Sequence, residues 1–327
     1  MSVALFIAGY GNVAKELLLI LADRDDFLLA GISNSTTMSL SSSGIEPLKV
    51  NKALENGEPA DILSFCQRGS EMQFLNKIFI DCTACEEVAS SYTQFAQNGF
   101  SVVSCNKIAF CFPAEKWRAM KSSFSAYGKG LLYETTVGAA LPVIATIRNM
   151  VSAGDRVDRV EAILSGTLNF LLSSYNGGES LDSLILKARE LGYTEPDPSV
   201  DLSGLDVARK ALIISREMGI IRELKDVSCS PLLPGAGFER LYAHSEAKGE
   251  KLRYIARVSA DVCTTGVESL PADHPLARTE STDNTIIIYS RDYPRSITIS
   301  GAGAGARQTA AGVFCDILVA AQKIIKT

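Results

Sequence analysis

The sequence predicts an α/β protein in which a Rossmann-type parallel-sheet domain is joined to a second, α+β domain. Three observations predict this fold. The chain opens with an apolar strand, a glycine turn and a helix. Apolar strand segments and helical segments then alternate as far as residue 133, whereas residues 255–300 are rich in strand segments. With 327 residues, 46% of them hydrophobic, the chain can bury the cores of two or three lobes.

The first strand and the turn after it predict dinucleotide binding. Residues 3–8 (VALFIA) form an apolar strand, and GYGNVA at 9–14 leads into a helix over Lys15–Ala22. In this context glycines let the backbone approach a pyrophosphate, and the helix N-terminus supplies N–H groups and partial positive charge. The candidate cofactor-binding residues here are Gly9, Gly11, Asn12 and Val13.

The second strand, over Phe27–Ile32, bears on which dinucleotide is bound. It ends in SNSTT at 33–37, without the acidic residue that usually binds a free ribose 2′-hydroxyl. The hydroxyl and amide groups there could bind a 2′-phosphate, so this strand end favours NADP over NAD.

The remaining elements of the first domain place a lysine at a strand end. In chain order they are a polar loop over 39–44, a short helix from Pro47, a strand over 78–82, a helix over 86–97, a strand over 100–104, a helix over 114–126 and a strand over 131–133. Lys107 follows the strand over 100–104, and ligands bind at the carboxyl ends of parallel strands. Lys107 is therefore a candidate for catalysis or anion binding, and the alternative is an ordinary solvated lysine.

The second domain contains the stretch GYTEPDPSVDLSGLDVARK at 192–210. We expect a stiff loop through Pro196 and Pro198, then a helix from about Ser203 to Met218. Asp206 and Lys210 are four residues apart on that helix and face the same way. They form either a surface ion pair of little energetic value or a buried lysine that acts as an acid–base group. Around this stretch we expect a helix after Pro142, a strand over 158–164, a turn over 165–170 that precedes another helix, and a tail helix over 308–323.

Composition excludes several classes of function. The net charge of -5 and the absence of a basic run argue against nucleic acid as a partner, and no apolar stretch has transmembrane length. Of the eight cysteines, only Cys82 and Cys85 form a CxxC pair, without a second pair to complete a zinc site. Packing is favoured over a redox role for that pair. Reduced thiols fit a cytoplasmic protein.

Seven segments taken together resemble the homoserine dehydrogenase family. They are GYGNVA at 9–14, SCNK at 104–107, ETTVGAALP at 134–142, SGTLNF at 165–170, the stretch at 192–210, HPLA at 274–277 and GAGAGARQTA at 301–310. Members of this family interconvert L-homoserine and L-aspartate 4-semialdehyde with NAD(P), in the biosynthesis of threonine, methionine and isoleucine. The resemblance implies an NAD(P)-dependent oxidoreductase whose substrate is a small amino acid.

The resemblance also implies roles for individual residues. Lys210 and Lys107 would flank the reacting hydroxyl, with Asp206 and Asp201 positioning the lysines. Glu195 would bind the substrate ammonium. The other residues implied at the substrate are Gly166, Thr167, Tyr193 and Asp201; those implied at the cofactor, besides the glycine turn, are Thr83, Lys107 and Gly305.

The resemblance further implies a monovalent cation, such as sodium, near the turn at 134–142. Its ligands would be Glu134 and the carbonyl groups of Val137, Ala139 and Leu141, and Ala140 stands where a glycine is common in the family.

The domain boundaries and the assembly follow from the same resemblance. Residues 1–133 and 303–327 would form the dinucleotide-binding domain, and residues 134–302 the catalytic and dimerisation domain of a homodimer. We expect neither a fused aspartate kinase nor a C-terminal ACT domain. Two alternatives stay open: an amino-acid dehydrogenase that releases ammonia, and a redox sensor that binds a dinucleotide without turnover.

Overall fold

The computed structural model describes residues 3–194 and 197–325, and the chain divides into two compact units. Unit 1 consists of Met1–Ala140 and Gly305–Thr327, and unit 2 of Leu141–Ala304. The sequence predicts the two boundaries after residues 133 and 302, whereas the structure has them after Ala140 and Ala304. The roles assigned to the two domains stay predictions.

Unit 1 is built on a seven-stranded sheet. Its strands are β1 (Val3–Ala8), β2 (Phe27–Ser33), β3 (Thr37–Leu40), β4 (Glu58–Pro59), β5 (Lys77–Asp81), β6 (Phe100–Ser104) and β7 (Leu131–Leu132). The order is β4-β3-β2-β1-β5-β6-β7, in which β2, β1, β5, β6 and β7 run parallel and β3 and β4 are antiparallel additions. The carboxyl ends of the parallel strands therefore share one edge of the sheet, where such folds bind ligands. The predicted Rossmann-type fold is confirmed.

The helices of unit 1 differ from the prediction in two places, because the sequence predicts no helix over Ile62–Glu71 and a single helix over 86–97. They are α1 (Asn12–Leu21), α2 (Val50–Glu55), α3 (Ile62–Glu71), α4 (Glu86–Ser90), α5 (Tyr92–Gln97) and α6 (Ala114–Ala126). The single helix expected over 86–97 is broken at Ser91, whose hydroxyl donates to the carbonyl of Val88 at 2.7 Å. Such a bond competes with the helical backbone pattern.

In its described residues, unit 2 combines six helices with a six-stranded sheet. The helices are α7 (Val143–Ser152), α8 (Gly166–Ser174), α9 (Leu181–Glu190), α10 (Pro198–Leu202), α11 (Leu205–Glu217) and α12 (Ala236–Ala247), and the strands are β8 (Val157–Ile163), β9 (Ser228–Cys229), β10 (Glu250–Ser259), β11 (Cys263–Pro271), β12 (Asp283–Ser290) and β13 (Ile297–Ala302). The order is β13-β12-β8-β10-β11-β9, antiparallel except between β11 and β9. This is the α+β arrangement that the strand-rich segment predicted.

Two expectations about loops in unit 2 are wrong. The stretch before α11 is not a loop throughout, because α10 begins at Pro198, with the Asp197 side chain accepting from the Ser199 N–H at 3.0 Å. Proline is tolerated at the first position of a helix, where its missing N–H has no helical partner. The expected turn over 165–170 is in fact the first part of α8, with Ser165 as its N-cap.

The chain returns to unit 1 through its last helix, α13 (Ala306–Ile325). Ala310, Val313 and Ile317 are fully buried in the same core cluster as residues of β1 and α1. A Cβ atom on Gly312 would approach the side chain of Thr135 to 2.5 Å, so the helix backbone packs closely on the turn that follows β7.

Candidate functional site

A cleft of about 470 Å³ lies at the carboxyl ends of β1, β2 and β5 in unit 1. Its lining consists of Ala8, Gly9, Tyr10, Gly11, Ser33, Asn34, Ser35, Ala60, Asp61, Ile62, Thr83, Cys85, Glu87 and Val88. Gly9 has φ +93°, and a Cβ atom on it would lie 2.8 Å from the Cys82 carbonyl oxygen, so only glycine fits there. The volume is in the range of small-molecule and cofactor sites. These residues fit a dinucleotide, and the predicted residues Gly9, Gly11 and Thr83 are all part of the lining.

In the loop after β2, the Asn34 side chain forms hydrogen bonds with the backbone of the same loop. Asn34 Oδ1 accepts from the backbone N–H groups of Thr36 at 2.8 Å and Thr37 at 2.7 Å. This amide oxygen is therefore engaged in shaping the loop.

The same cleft contains two acidic residues, Asp61 and Glu87, that the sequence analysis did not single out. Asp61 is the N-cap of α3, and its Oδ1 accepts from the N–H groups of Leu63 and Ser64, each at 2.9 Å. The sequence signal for Asp61 is an N-cap residue before an apolar helix, which indicates a helix start and not proximity to β2.

The ends of β5 and β6 are connected by buried side chains. Asp81 is fully buried and accepts from the Thr83 N–H at 2.7 Å, from the Tyr92 hydroxyl at 2.6 Å and from Asn106 Nδ2 at 3.0 Å. Burial raises the pKa of the Asp81 carboxyl, and hydrogen bonds from Tyr92, Thr83 and Asn106 act in the opposite direction. Lys107, which is half-buried, follows directly in the chain.

The cysteine pair after β5 is divided between two environments. Cys82 is partly buried and packs against the core of unit 1, whereas Cys85 is exposed and lines the cleft. The packing interpretation therefore describes Cys82 and does not describe Cys85.

The second group of predicted residues lies in unit 2, around Lys210 on α11. Its Nζ is 2.8 Å from Asp206 Oδ2 and donates to the Leu164 carbonyl at 2.7 Å. The Lys210 side chain is only 11% exposed, whereas that of Asp206 is 46% exposed. The two residues face the same way, as their spacing predicts, but Lys210 is not a surface lysine.

The start of α8 lies close to Lys210 in the structure. Leu164, which accepts from Lys210, is followed by the N-cap Ser165 and by Gly166, on which a Cβ atom would lie 2.8 Å from the Thr282 carbonyl oxygen. The Thr167 hydroxyl donates to the Tyr193 carbonyl, and it is 3.5 Å from Asp201 Oδ1. Unit 2 thus brings together Lys210, the first turn of α8 and the Tyr193 and Asp201 segments. Glu195 lies outside the described residues.

The turn predicted to hold a cation has an unusual backbone. Gly138 and Ala139 are both left-handed, with φ 79° and φ 51°. For an alanine this conformation costs about 1–2 kcal/mol. Glu134 begins a short 3₁₀ turn, and its N–H donates to Asp316 Oδ2 at 2.9 Å. Within residues 3–194 and 197–325, no group of three or more His, Cys, Asp or Glu side chains could hold a metal, so the prediction here concerns Glu134 and backbone carbonyls.

Two family models match the chain. The NAD-binding domain of homoserine dehydrogenase matches residues 9–134, and the homoserine dehydrogenase domain matches residues 142–318. The chain belongs to the homoserine dehydrogenase family. The predicted family and the predicted dinucleotide-binding domain are therefore confirmed.

Two curated relatives to which the chain is similar are longer proteins. The chain is 37% identical over 317 residues to the chloroplastic bifunctional aspartokinase/homoserine dehydrogenase 2 of Zea mays, a match that covers 90% of this chain and 35% of the relative. It is 35% identical over 348 residues to the bifunctional aspartokinase/homoserine dehydrogenase of Haemophilus influenzae, covering 97% and 42%. The chain therefore spans well under half the length of these relatives.

Solved structures share the fold over almost the whole chain. A Candida auris protein of unknown function has a TM-score of 0.90 and 28% identity, covering 99% of each chain. A hyperthermophilic archaeal homoserine dehydrogenase in complex with NADPH has a TM-score of 0.81 and 24% identity, covering 99% of this chain and 98% of that one. In the part of the chain that the structure describes, no helix is both long and apolar enough to span a membrane.

Proposed function

We propose that this chain catalyses the NAD(P)-dependent interconversion of L-homoserine and L-aspartate 4-semialdehyde, in the biosynthesis of threonine, methionine and isoleucine. The observation that carries the proposal is the environment of Lys210. Its ammonium group is largely buried and is directed by Asp206 and by the Leu164 carbonyl, in the region that matches the homoserine dehydrogenase domain.

The geometry of Lys210 suits proton transfer to or from a substrate oxygen. An ammonium group has three N–H donors. Among the described residues, one donor is directed at Asp206 and one at Leu164, which leaves the third for the substrate. In the direction of aldehyde reduction, Lys210 donates its proton to the oxygen as negative charge develops there; in the direction of alcohol oxidation, the neutral amine accepts the hydroxyl proton.

The cofactor would lie in the cleft of unit 1, with Gly9, Gly11, Asn12 and Val13 at its pyrophosphate and Thr83, Lys107 and Gly305 as further contacts. When bound, the nicotinamide ring supplies the hydride acceptor or donor, which no amino-acid side chain provides. Lys107 is the second lysine of the proposed mechanism, at the reacting hydroxyl.

The substrate is a zwitterion, and the proposed contacts match its two charges. Glu195 would bind the ammonium group, with the Tyr193 segment beside it. The backbone N–H groups of Gly166 and Thr167, in the first turn of α8, suit the substrate carboxylate because a helix N-terminus favours an anion. Asp201 and Asp206 would orient the side chains around the reacting carbon.

The choice between NADP and NAD depends on two opposing features of the cleft. The end of β2 has no acidic residue to repel a 2′-phosphate, which favours NADP. Asp61 lines the same cleft and adds a negative charge, which favours NAD. The preference for NADP stays a prediction, and the two cofactors have to be compared directly.

Two further parts of the proposal concern assembly and ions. A homodimer through the second sheet is proposed because twofold homo-oligomers are the commonest assemblies of soluble enzymes. A sodium ion at Glu134 and at the carbonyl groups of Val137, Ala139 and Leu141 is proposed with support from the left-handed backbone at Gly138 and Ala139.

The deciding experiment is a reduction assay run in parallel with NAD⁺ and NADP⁺, each with homoserine and with aspartate. We expect homoserine-dependent reduction with at least one cofactor. Reduction with aspartate together with release of ammonia would instead show an amino-acid dehydrogenase. Dinucleotide binding without turnover of either amino acid would show a sensor.

A further inference from the structure

Asp81 is a carboxylate at the carboxyl end of β5 that has no part in the chemistry proposed above. It is 0% exposed, and burial of a charged group is costly unless the group is fully hydrogen-bonded. Its two oxygens accept from the Thr83 backbone N–H, the Tyr92 hydroxyl and Asn106 Nδ2, so these surroundings suit an acceptor-only carboxylate.

One side of Asp81 is directed at the cofactor cleft. Its Oδ1 accepts from the Thr83 N–H at 2.7 Å, and the Thr83 hydroxyl in turn accepts from the Cys85 N–H at 3.1 Å. Thr83 and Cys85 both line the cleft. The carboxylate therefore shapes the short loop that forms one wall of the cleft.

The other side of Asp81 is directed at the loop that carries Lys107. Its Oδ2 accepts from Asn106 Nδ2 at 3.0 Å, and Asn106 Oδ1 accepts from the Ile108 N–H at 3.0 Å. Asn106 Nδ2 also donates to the Cys85 carbonyl at 3.0 Å, which joins the two loops a second time. Lys107 thus lies between Asn106, which donates to Asp81, and Ile108, which donates to Asn106.

The strand ladder alone does not provide this connection. Asp81 pairs with Ser104 at the last register position of β5 and β6, and the Cys105 N–H still reaches the Asp81 carbonyl at 3.0 Å. Beyond that point the segments after β5 and β6 continue as separate loops. There the hydrogen bond between the Asp81 and Asn106 side chains connects them.

We propose that Asp81, acting through Asn106, is a positioning residue that holds the cleft-lining loop and the Lys107 loop as one unit. Formation of the cofactor site and placement of Lys107 then depend on the same buried carboxylate. The part of this inference that concerns Lys107 rests on the proposed function, and the part that concerns the cleft does not.

The test uses Asp81→Asn and Asn106→Ala, with Tyr92→Phe as the matched control. Asp81→Asn keeps the shape of the side chain, but replaces one acceptor oxygen with an NH₂ donor. The hydrogen bonds from the Thr83 N–H and from Asn106 Nδ2 therefore cannot both remain. Tyr92→Phe removes a donor from the same carboxylate and a 2.6 Å contact with Ser104 Oγ, but it leaves the Thr83 N–H and Asn106 Nδ2 contacts of Asp81 in place. The dissociation constants of NADH and NADPH are measured by fluorescence without substrate, and hydrogen exchange is measured over residues 82–86 and 105–108.

We expect Asp81→Asn to raise the dissociation constant of the preferred cofactor about tenfold, the effect of losing one hydrogen bond to a charged group. Exchange should rise in both loops. Asn106→Ala should raise exchange over 82–86 although Asn106 lies in the other loop, and it carries the test if Asp81→Asn does not fold. Tyr92→Phe should lower the melting temperature and leave the dissociation constant within about twofold, because the contacts of Asp81 with Thr83 and Asn106 both remain.

Turnover distinguishes this inference from the proposed function. At saturating cofactor and homoserine, kcat of Asp81→Asn should fall about tenfold, since Lys107 is displaced. Unchanged dissociation constants and unchanged loop exchange in both variants, with only a lower melting temperature, would overturn the positioning role. Absence of homoserine turnover in the parent would contradict the proposed function, and the binding and exchange data would still decide the role of Asp81.

Discussion

The contacts of Lys210 would orient its ammonium group for the proposed proton transfer, although they contribute little to the free energy of unfolding. An ion pair such as Lys210–Asp206, with one partner 46% exposed, contributes about 0–1 kcal/mol. The main effect of the ion pair is on the orientation of the side chain. The Leu164 carbonyl at 2.7 Å and Asp206 at 2.8 Å together orient the Lys210 ammonium group. A group that is oriented in advance loses little free energy when the substrate arrives.

Replacing Lys210 with alanine should remove most turnover. We expect kcat to fall by about 10²–10⁴-fold, the usual contribution of a general acid–base group. The dissociation constant of the cofactor should stay unchanged. The matched control is Lys187→Ala, which removes an exposed lysine of α9 paired with Glu179 at 2.8 Å. Loss of cofactor binding with intact turnover would contradict the role of Lys210.

Replacing Glu195 with glutamine tests the proposed contact with the substrate ammonium. The change keeps the size of the side chain and removes its charge, so KM for homoserine should rise by about 10-fold or more, with a smaller effect on kcat. Glu190→Gln, at an exposed position of α9, is the control for a general charge effect. If KM is the same as in the parent enzyme, Glu195 does not bind the ammonium group.

At the scale of elements, α11 begins and ends at glycines that have different surroundings. Gly204, its N-cap, has φ 72°, and a Cβ atom there would lie 1.9 Å from the Tyr254 hydroxyl oxygen. Gly219, just beyond the other end, has φ 83°, and a Cβ atom there would have nothing within 4 Å. The start of the helix that carries Lys210 is therefore set by close packing, and its end only by backbone conformation.

This difference predicts unequal effects of alanine at the two ends. Gly219→Ala should lower the free energy of unfolding by about 1 kcal/mol, the cost of a left-handed L-residue. Gly204→Ala should cost about 1–3 kcal/mol more through overpacking, and should lower kcat because α11 must shift. Urea unfolding and turnover, measured for both variants, check this. Equal losses at the two positions would show that the Tyr254 contact does not set the helix start.

The elements that the sequence predicted best are those defined by local pattern. The strand Phe100–Ser104 is a short apolar run after a glycine, and α6 over Ala114–Ala126 follows a proline; both match the prediction. The Asp81–Asn106 contact joins residues 25 apart, and Asp61 lines the same cleft as Asn34, which is distant from it in the sequence. Contacts of this kind depend on tertiary packing, which local propensity and periodicity do not describe.

At the scale of the whole molecule, unit 1 requires both ends of the chain. Helix α13 packs against α1, and Ile317 is 0% exposed in the same cluster as Leu5, Ile7 and Leu17. The core beneath the cofactor cleft is therefore incomplete until the last helix has formed. The local sequence pattern predicts this helix. Only the family resemblance predicts that the helix belongs to the first unit.

Ile317→Ala should therefore destabilise unit 1 specifically. Removing this buried side chain should cost about 2–5 kcal/mol, whereas Val319→Ala, at a position of the same helix that is 42% exposed, should change stability by about 0.5 kcal/mol or less. Trp117, the one tryptophan of the sequence, is buried in unit 1, so its fluorescence reports on that unit, and circular dichroism reports on both. In Ile317→Ala the Trp117 transition should move to lower urea concentration. An unmoved Trp117 transition, or an equal shift in Val319→Ala, would show that α13 does not stabilise the unit that contains the cleft.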